Sequence, residues 1–174
     1  KLGIGGQFII RDTNNTFLSV PQNTGFLTLN RSLTLQNTSG STVGVVYKDA
    51  FRFLHNYGNQ NTFMGINSGN FSMTGLGGNT IVGFSTFSSN TTGYENTSVG
   101  SNTLFSNTTG YLNTAFGTFS LNLNTTGYHN TAFGSYSLRS QTVGTQNTAL
   151  GYASLYSNFS GSFNTAVGHN SLYS

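Results

Sequence analysis

The sequence predicts an all-β chain: a parallel β-solenoid, or β-roll, of 17-residue coils preceded by a short β-rich N-terminal segment. Three observations carry this. The motif Asn-Thr-x-x-Gly begins at Asn61, Asn79, Asn96, Asn113, Asn130, Asn147 and Asn164, one interval of 18 residues followed by five of 17. A fixed period of this length marks a stacked repeat architecture. Asn, Gly, Thr and Ser make up 94 of the 174 residues, a composition that penalises helix interiors. The chain also carries 15 Phe and 9 Tyr, too many rings for a flexible linker, and they recur with the repeat.

The unit reads N-T-A-F-G-x-x-S-L-x-x-N-T-T-G-Y-x. Position three is Phe63, Ile81, Ser98, Ala115, Ala132, Ala149 and Ala166. Position four is always apolar: Met64, Val82, Val99, Phe116, Phe133, Leu150 and Val167. Position five is always Gly, and position nine is Leu from Leu104 onward. A second glycine follows at Gly93, Gly110, Gly127, Gly144 and Gly161. Short segments between fixed glycines suit strands and tight turns. One coil is therefore expected to hold a strand at Asn-Thr-x-x-Gly, a turn, a second strand around Ser-Leu, and an Asn-Thr-Thr-Gly turn. Coils stacked at strand spacing, about 4.8 Å, would put seven of them in roughly 30 Å. Each residue would lie over its own copy. Asn would form hydrogen-bonded ladders, and position nine and position four would form apolar ladders, with Phe116, Phe133, Leu138 and Leu155 buried. No coil buries its face alone, so stability is a sum over neighbours.

Residues 1–60 lack the period and are expected to cap the array or guide its assembly, with 61–174 as the seven-repeat solenoid, its last repeat incomplete. Strand-like stretches there are Gln7–Ile10, Thr16–Val20, Phe26–Leu29, Ser32–Leu35 and Val43–Tyr47. Charge follows the same boundary. Residues 1–60 hold five cations and two acids, whereas 61–174 hold only Glu95 and Arg139. So few groups make no basic patch, and no nucleic-acid partner is expected. No apolar run approaches the length of a transmembrane helix, so no membrane insertion is expected. Ser174 falls in mid-repeat, which suggests a longer parent chain, a processed subunit, or a protomer continued by another copy.

The residues that could carry chemistry are scattered. Cys is absent. His55, His129 and His169 stand without a neighbouring ligand at metal spacing. Asp12, Asp49 and Glu95 are far apart in sequence, and no Gly-x-Ser-x-Gly elbow exists. No catalytic, cofactor-binding or metal-ligating set is assigned, and the chain is expected not to be an enzyme.

The Asn-Thr-Ala-x-Gly repeats, over Asn61 to Ser174 with a lead-in at Phe53-Leu54-His55-Asn56, resemble repeats of bacterial and phage fibre-like surface proteins and the head repeats of trimeric autotransporter adhesins. The resemblance implies a left-handed parallel β-roll, packing of three chains, and binding to a host or matrix surface. This repeat is longer, with an added Asn-Thr-Thr-Gly turn.

The functional expectation is a structural subunit of an extracellular fibre, filament or adhesive appendage at a cell or virion surface. Its partners would be copies of itself, as a trimer or head-to-tail polymer, with surface glycans or host matrix as further candidates. The alternative is a ligand-binding solenoid. Thr62, Thr80, Thr97, Thr114, Thr131, Thr148 and Thr165 would form an ice-binding file, or Tyr94, Tyr111 and Tyr128 a stripe for sugars, the latter competing with a plain packing ladder. Nine positions match the N-glycan acceptor pattern. Four of them, Asn90, Asn107, Asn124 and Asn158, share one turn that is expected on the outer edge of each coil; Gln141 breaks the series. There Asn could equally supply turn geometry alone.

Overall fold

The computed structural model describes residues 8–11, 16–20, 45–48 and 51–174. The chain divides into two units, Lys1–Leu35 and Gln36–Ser174. In the first, β1 (Phe8–Arg11) pairs antiparallel with β2 (Thr16–Val20), with a register shift at Ile10/Arg11. The stretches expected at Phe26–Leu29 and Ser32–Leu35 lie outside the described residues.

The second unit holds one nine-stranded sheet, β3 to β11 in chain order. β3 (Val46–Lys48) and β4 (Phe51–His55) form an antiparallel pair, and β4 runs antiparallel to β5 (Thr62–Met64). From β5 on, every pairing is parallel: β6 (Thr80–Val82), β7 (Thr97–Val99), β8 (Thr114–Phe116), β9 (Thr131–Phe133), β10 (Thr148–Leu150) and β11 (Thr165–Val167). Thr pairs with Thr across each step and position three with position three, without a slip. The described residues contain no helix, and the seven parallel strands enclose six full turns of a β-solenoid.

The second strand expected around Ser-Leu does not form. Gly117, Phe119 and Leu121 have φ of +118°, +58° and +47°, and the other coils repeat this alternation. A strand cannot hold left-handed residues at every second position. The segment is instead a run of turns whose amides point alternately to the two neighbouring coils. Phe119 N–H donates to Ser101 O of the preceding coil, and Leu121 N–H to Ser137 O of the following one. These bonds sustain a conformation that costs a non-glycine residue about 1–2 kcal/mol.

The core also corrects the sequence reading. Position three points inward and position four outward. Phe63, Ile81, Ala115, Ala132 and Ala149 are fully buried, whereas Phe133 is 55% exposed and Phe116 half-buried. Leu138 and Leu155 are buried as expected. Positions three and nine both face the coil interior. Phe63 sits opposite Gly69, where an added Cβ would lie 2.5 Å from the Phe63 ring. The next coil buries Ile81 with the larger Phe87, and Ala115 shares its coil with Leu121.

At the β4 end the stack closes on rings. His55 is buried, stacks on Phe63 at 4.5 Å and meets Phe71 at a tilt at 4.9 Å, with Arg52 4.6 Å over Phe71. His55 Nε2 lies 2.8 Å from Ser68 O. Burial lowers the His55 pKa from its ordinary value; the Ser68 carbonyl opposes this, and the Arg52 charge adds to it. The unfolded chain therefore takes up a proton near pH 6.5 that the folded chain resists. Stability should be flat above that pH and decline as pH falls below it. Thermal melts between pH 8 and pH 5 check this: wild type should lose Tm on acidification, and His55→Phe should lose less.

Candidate functional site

Three surfaces repeat along the coils, and two asparagine ladders hold them in register. In the first ladder, at position one, Nδ2 of Asn113 donates to Oδ1 of Asn96 (3.1 Å) and to Gly127 O (2.9 Å). Its own Oδ1 accepts from the backbone N–H and the Nδ2 of Asn130. The same pattern runs through Asn79, Asn96, Asn130 and Asn147, all buried. The seven repeat asparagines thus act as in-register pins rather than surface groups.

The second ladder is position twelve, the four candidate glycan acceptors. Asn90, Asn107 and Asn124 are 0–1% exposed, which overturns the expectation of an outer turn. Each Nδ2, the atom a glycan would occupy, bonds the carbonyl of the glycine three residues on, and those of Asn107 and Asn124 also bond the preceding Asn. A glycan at these three sites is incompatible with the coil. Asn158 is half-buried, and its Nδ2 donates to Gln141 Oε1 and Gly161 O. Asn here supplies turn chemistry, and supplies it inward.

Gln141 leaves a fault in this ladder. Its Nε2 turns to Gly144 O, and Asn124 Oδ1 is left buried without a partner. A buried unpaired acceptor costs about 1–3 kcal/mol. Gln141→Asn should restore the bond and raise stability by about 1 kcal/mol, or Tm by about 2–4 °C in a chain of this size. Differential scanning calorimetry measures it; an unchanged or lower Tm would show that the shorter side chain leaves a void of equal cost.

Position eight escaped the sequence reading. Ser68, Thr86, Thr103, Ser120, Ser137 and Ser154 are fully buried hydroxyls. Thr103 Oγ1 donates to Gly117 O, Ser120 Oγ to Ala132 O and Ser137 Oγ to Gly134 O. The signal was the unbroken Ser/Thr at that position, which a solvent-facing site does not require.

The first outward surface is the strand face. The Thr file stands exposed or half-buried, and beside it, two residues along and on the same side, runs the position-four file from Met64 to Val167. Phe116 and Phe133 stack within it at 5.1 Å. The second surface is the tyrosine file. Tyr94, Tyr111 and Tyr128 are face-stacked at 4.8 Å and within 5° of parallel. Their faces cover one another, so the file presents ring edges and hydroxyls, as a packing ladder does. Partial desolvation, with Tyr128 and Tyr94 on either side, pushes the Tyr111 hydroxyl above its ordinary pKa. His129 is exposed and meets Tyr111 and Tyr128 edge-on; His169 is exposed and stacks on Tyr152 at 5.0 Å.

The third surface breaks the repeat. Phe119 and Tyr136 stack at 5.4 Å, Tyr152 meets Tyr136 edge-on at 5.8 Å, and Tyr156 stacks on Tyr173 at 4.9 Å. Arg139 lies among them, its guanidinium 5.9 Å from the Phe119 ring centre and 5.6 Å from that of Tyr156. Glu95 is exposed at the seventeenth position of its coil, and Asp12 and Asp49 lie outside the described residues. An open depression of about 470 Å³ is lined by Asn56, Gly58, Asn59, Gln60 and Leu76. No helix among the described residues is long and apolar enough to cross a membrane. No protein-family model, curated protein or solved structure matches the chain.

Proposed function

We propose that the chain is a structural subunit of an extracellular fibre, filament or adhesive appendage at a cell or virion surface, acting by self-assembly and surface display. The observation that carries this reading is the strand face, where a Thr file and an apolar file repeat in register on seven rungs. An exposed apolar stripe of that length marks an interaction surface. A surface of fixed rise matches best a partner of the same rise, which another copy provides. The ladders supply stiffness, since every coil is tied to both neighbours through backbone and side chain. Sedimentation velocity on wild type and on Phe116→Ser/Phe133→Ser/Leu150→Ser tests it. Wild type should associate with rising concentration, as a side-by-side trimer or a head-to-tail polymer that negative-stain images tell apart, and the triple variant should stay monomeric with an unchanged circular dichroism spectrum. A monomeric wild type at high concentration would overturn the reading.

A second reading draws on the same face. An ice surface is met by regular files of small outward groups, and the Thr file has the regularity required. Thermal hysteresis would support it, and none at millimolar protein would end it.

A further inference from the structure

Within residues 61–174 Arg139 is the only cation of the Lys/Arg type, and Glu95 the only acid. Position ten, which Arg139 occupies, is otherwise Asn70, Ser88, Phe105, Asn122, Tyr156 or Tyr173. Its guanidinium donates from Nη1 to the Tyr156 hydroxyl at 3.1 Å. Its Nε is shut off from solvent without a partner. No carboxylate among the described residues meets the guanidinium, whose charge is set against rings alone. A cation seated on aromatic faces and partly desolvated keeps its full charge, because Arg does not deprotonate, and it attracts an anion more strongly than a solvated one does. Tyr156 leads on to Tyr136 at 6.4 Å, and Tyr136 to Tyr152, which is nearly half exposed. Tyr152 stacks one face on His169 and meets Tyr136 edge-on, so this group does not continue as one parallel stack.

We propose that Arg139, with Tyr136, Tyr152 and Tyr156, forms a binding site for an acidic saccharide. The guanidinium takes the anionic group, carboxylate or sulfate ester, and the tyrosine hydroxyls and ring edges take the sugar hydroxyls. Arginine is the side chain suited to such groups because its planar donors match their oxygens. The site goes beyond the assembly reading and does not depend on it, since it lies on one coil pair and needs no second copy.

Calorimetric titration of the whole chain with sialyllactose, a sulfated disaccharide and neutral lactose tests the proposal. At least one acidic probe should bind at least about tenfold more tightly than lactose, with affinity falling as salt rises. Binding of sialyllactose alone assigns a carboxylate, and binding of the sulfated probe alone assigns a sulfate ester. Arg139→Gln should lose the preference for acid with little change in Tm, and Arg139→Lys should retain part of it. Equal binding of lactose and the acidic probes, absence of acidic binding at millimolar ligand, or an Arg139→Gln variant that binds like wild type would each overturn it. The salt dependence of wild type keeps the test decisive should the variant fold poorly. A chain that stays monomeric yet binds the acidic probe would refute the fibre reading and leave this one intact.

Discussion

Gly134→Ala should be among the most damaging single substitutions in the array, at about 3–5 kcal/mol. Gly134 has φ +133°, and a Cβ there would lie 2.4 Å from the Gly151 backbone oxygen of the next coil. Two costs combine. The backbone conformation is one that residues with a side chain rarely adopt, at about 1–3 kcal/mol. The clash is with main chain that is itself hydrogen-bonded, so neighbouring coils must separate, and overpacking of this kind costs about 1–3 kcal/mol. Gly168 separates the terms. It occupies the same position with φ +121°, but an added Cβ meets nothing within 4 Å. Gly168→Ala should therefore show the conformational term alone, about 1–3 kcal/mol. Urea unfolding of both variants measures the difference. Equal losses would mean that the coils shift apart freely and that the glycine file is not what sets their separation.

The second large effect is expected in the asparagine ladder. Asn113→Ala removes an amide that serves four partners. It leaves Asn130 N–H buried without its partner, while Gly127 O keeps the bond from Asn124 Nδ2. With about 1–3 kcal/mol for the orphaned N–H and about 1 kcal/mol for each of the other bonds lost, a loss of about 3–5 kcal/mol follows. Asn113→Asp tests the direction of the ladder. It keeps the acceptor that Asn130 uses but sets a carboxylate oxygen against Asn96 Oδ1 and Gly127 O, both acceptors. A carboxyl held there favours its protonated form, which can donate, so its folded-state pKa is raised above the unfolded value near 3.9. Stability relative to Asn113→Ala should then be best at low pH and decline as pH rises through the raised value. Chemical denaturation at pH 4 and pH 7 checks the sign. A variant insensitive to pH would mean that the side chain escapes to solvent.

The 17-residue recurrence determined the solenoid by itself. When Asn, Thr and Gly return at one interval seven times, parallel stacking is the arrangement that places like on like, and Asn is the side chain that gains most because it donates and accepts to its own copy. The in-register Thr62↔Thr80 to Thr148↔Thr165 pairings follow from that. Composition likewise excluded helices.

Which side of the coil each residue faces was decided by tertiary structure alone. A three-residue strand such as Thr131–Phe133 offers no long alternation to read, and both Ala132 and Phe133 are apolar. The larger ring looks like the core residue. Yet Ala132, Leu138, Asn130 and Gln141 together fill the interior of this coil, and strand alternation turns Phe133 out. The Asn-Thr-Thr-Gly turn misleads for the same reason. Asn in a turn usually meets water, but Asn107 closes its turn from inside, where the coils above and below complete its hydrogen bonds. The Ser-Leu segment depends on its neighbours too. Leucine in a left-handed conformation is unfavourable in isolation, and at Leu121 it persists because its N–H points at Ser137 O in the adjoining coil. Contacts between coils, which no single repeat contains, settled what the repeat does with its own side chains.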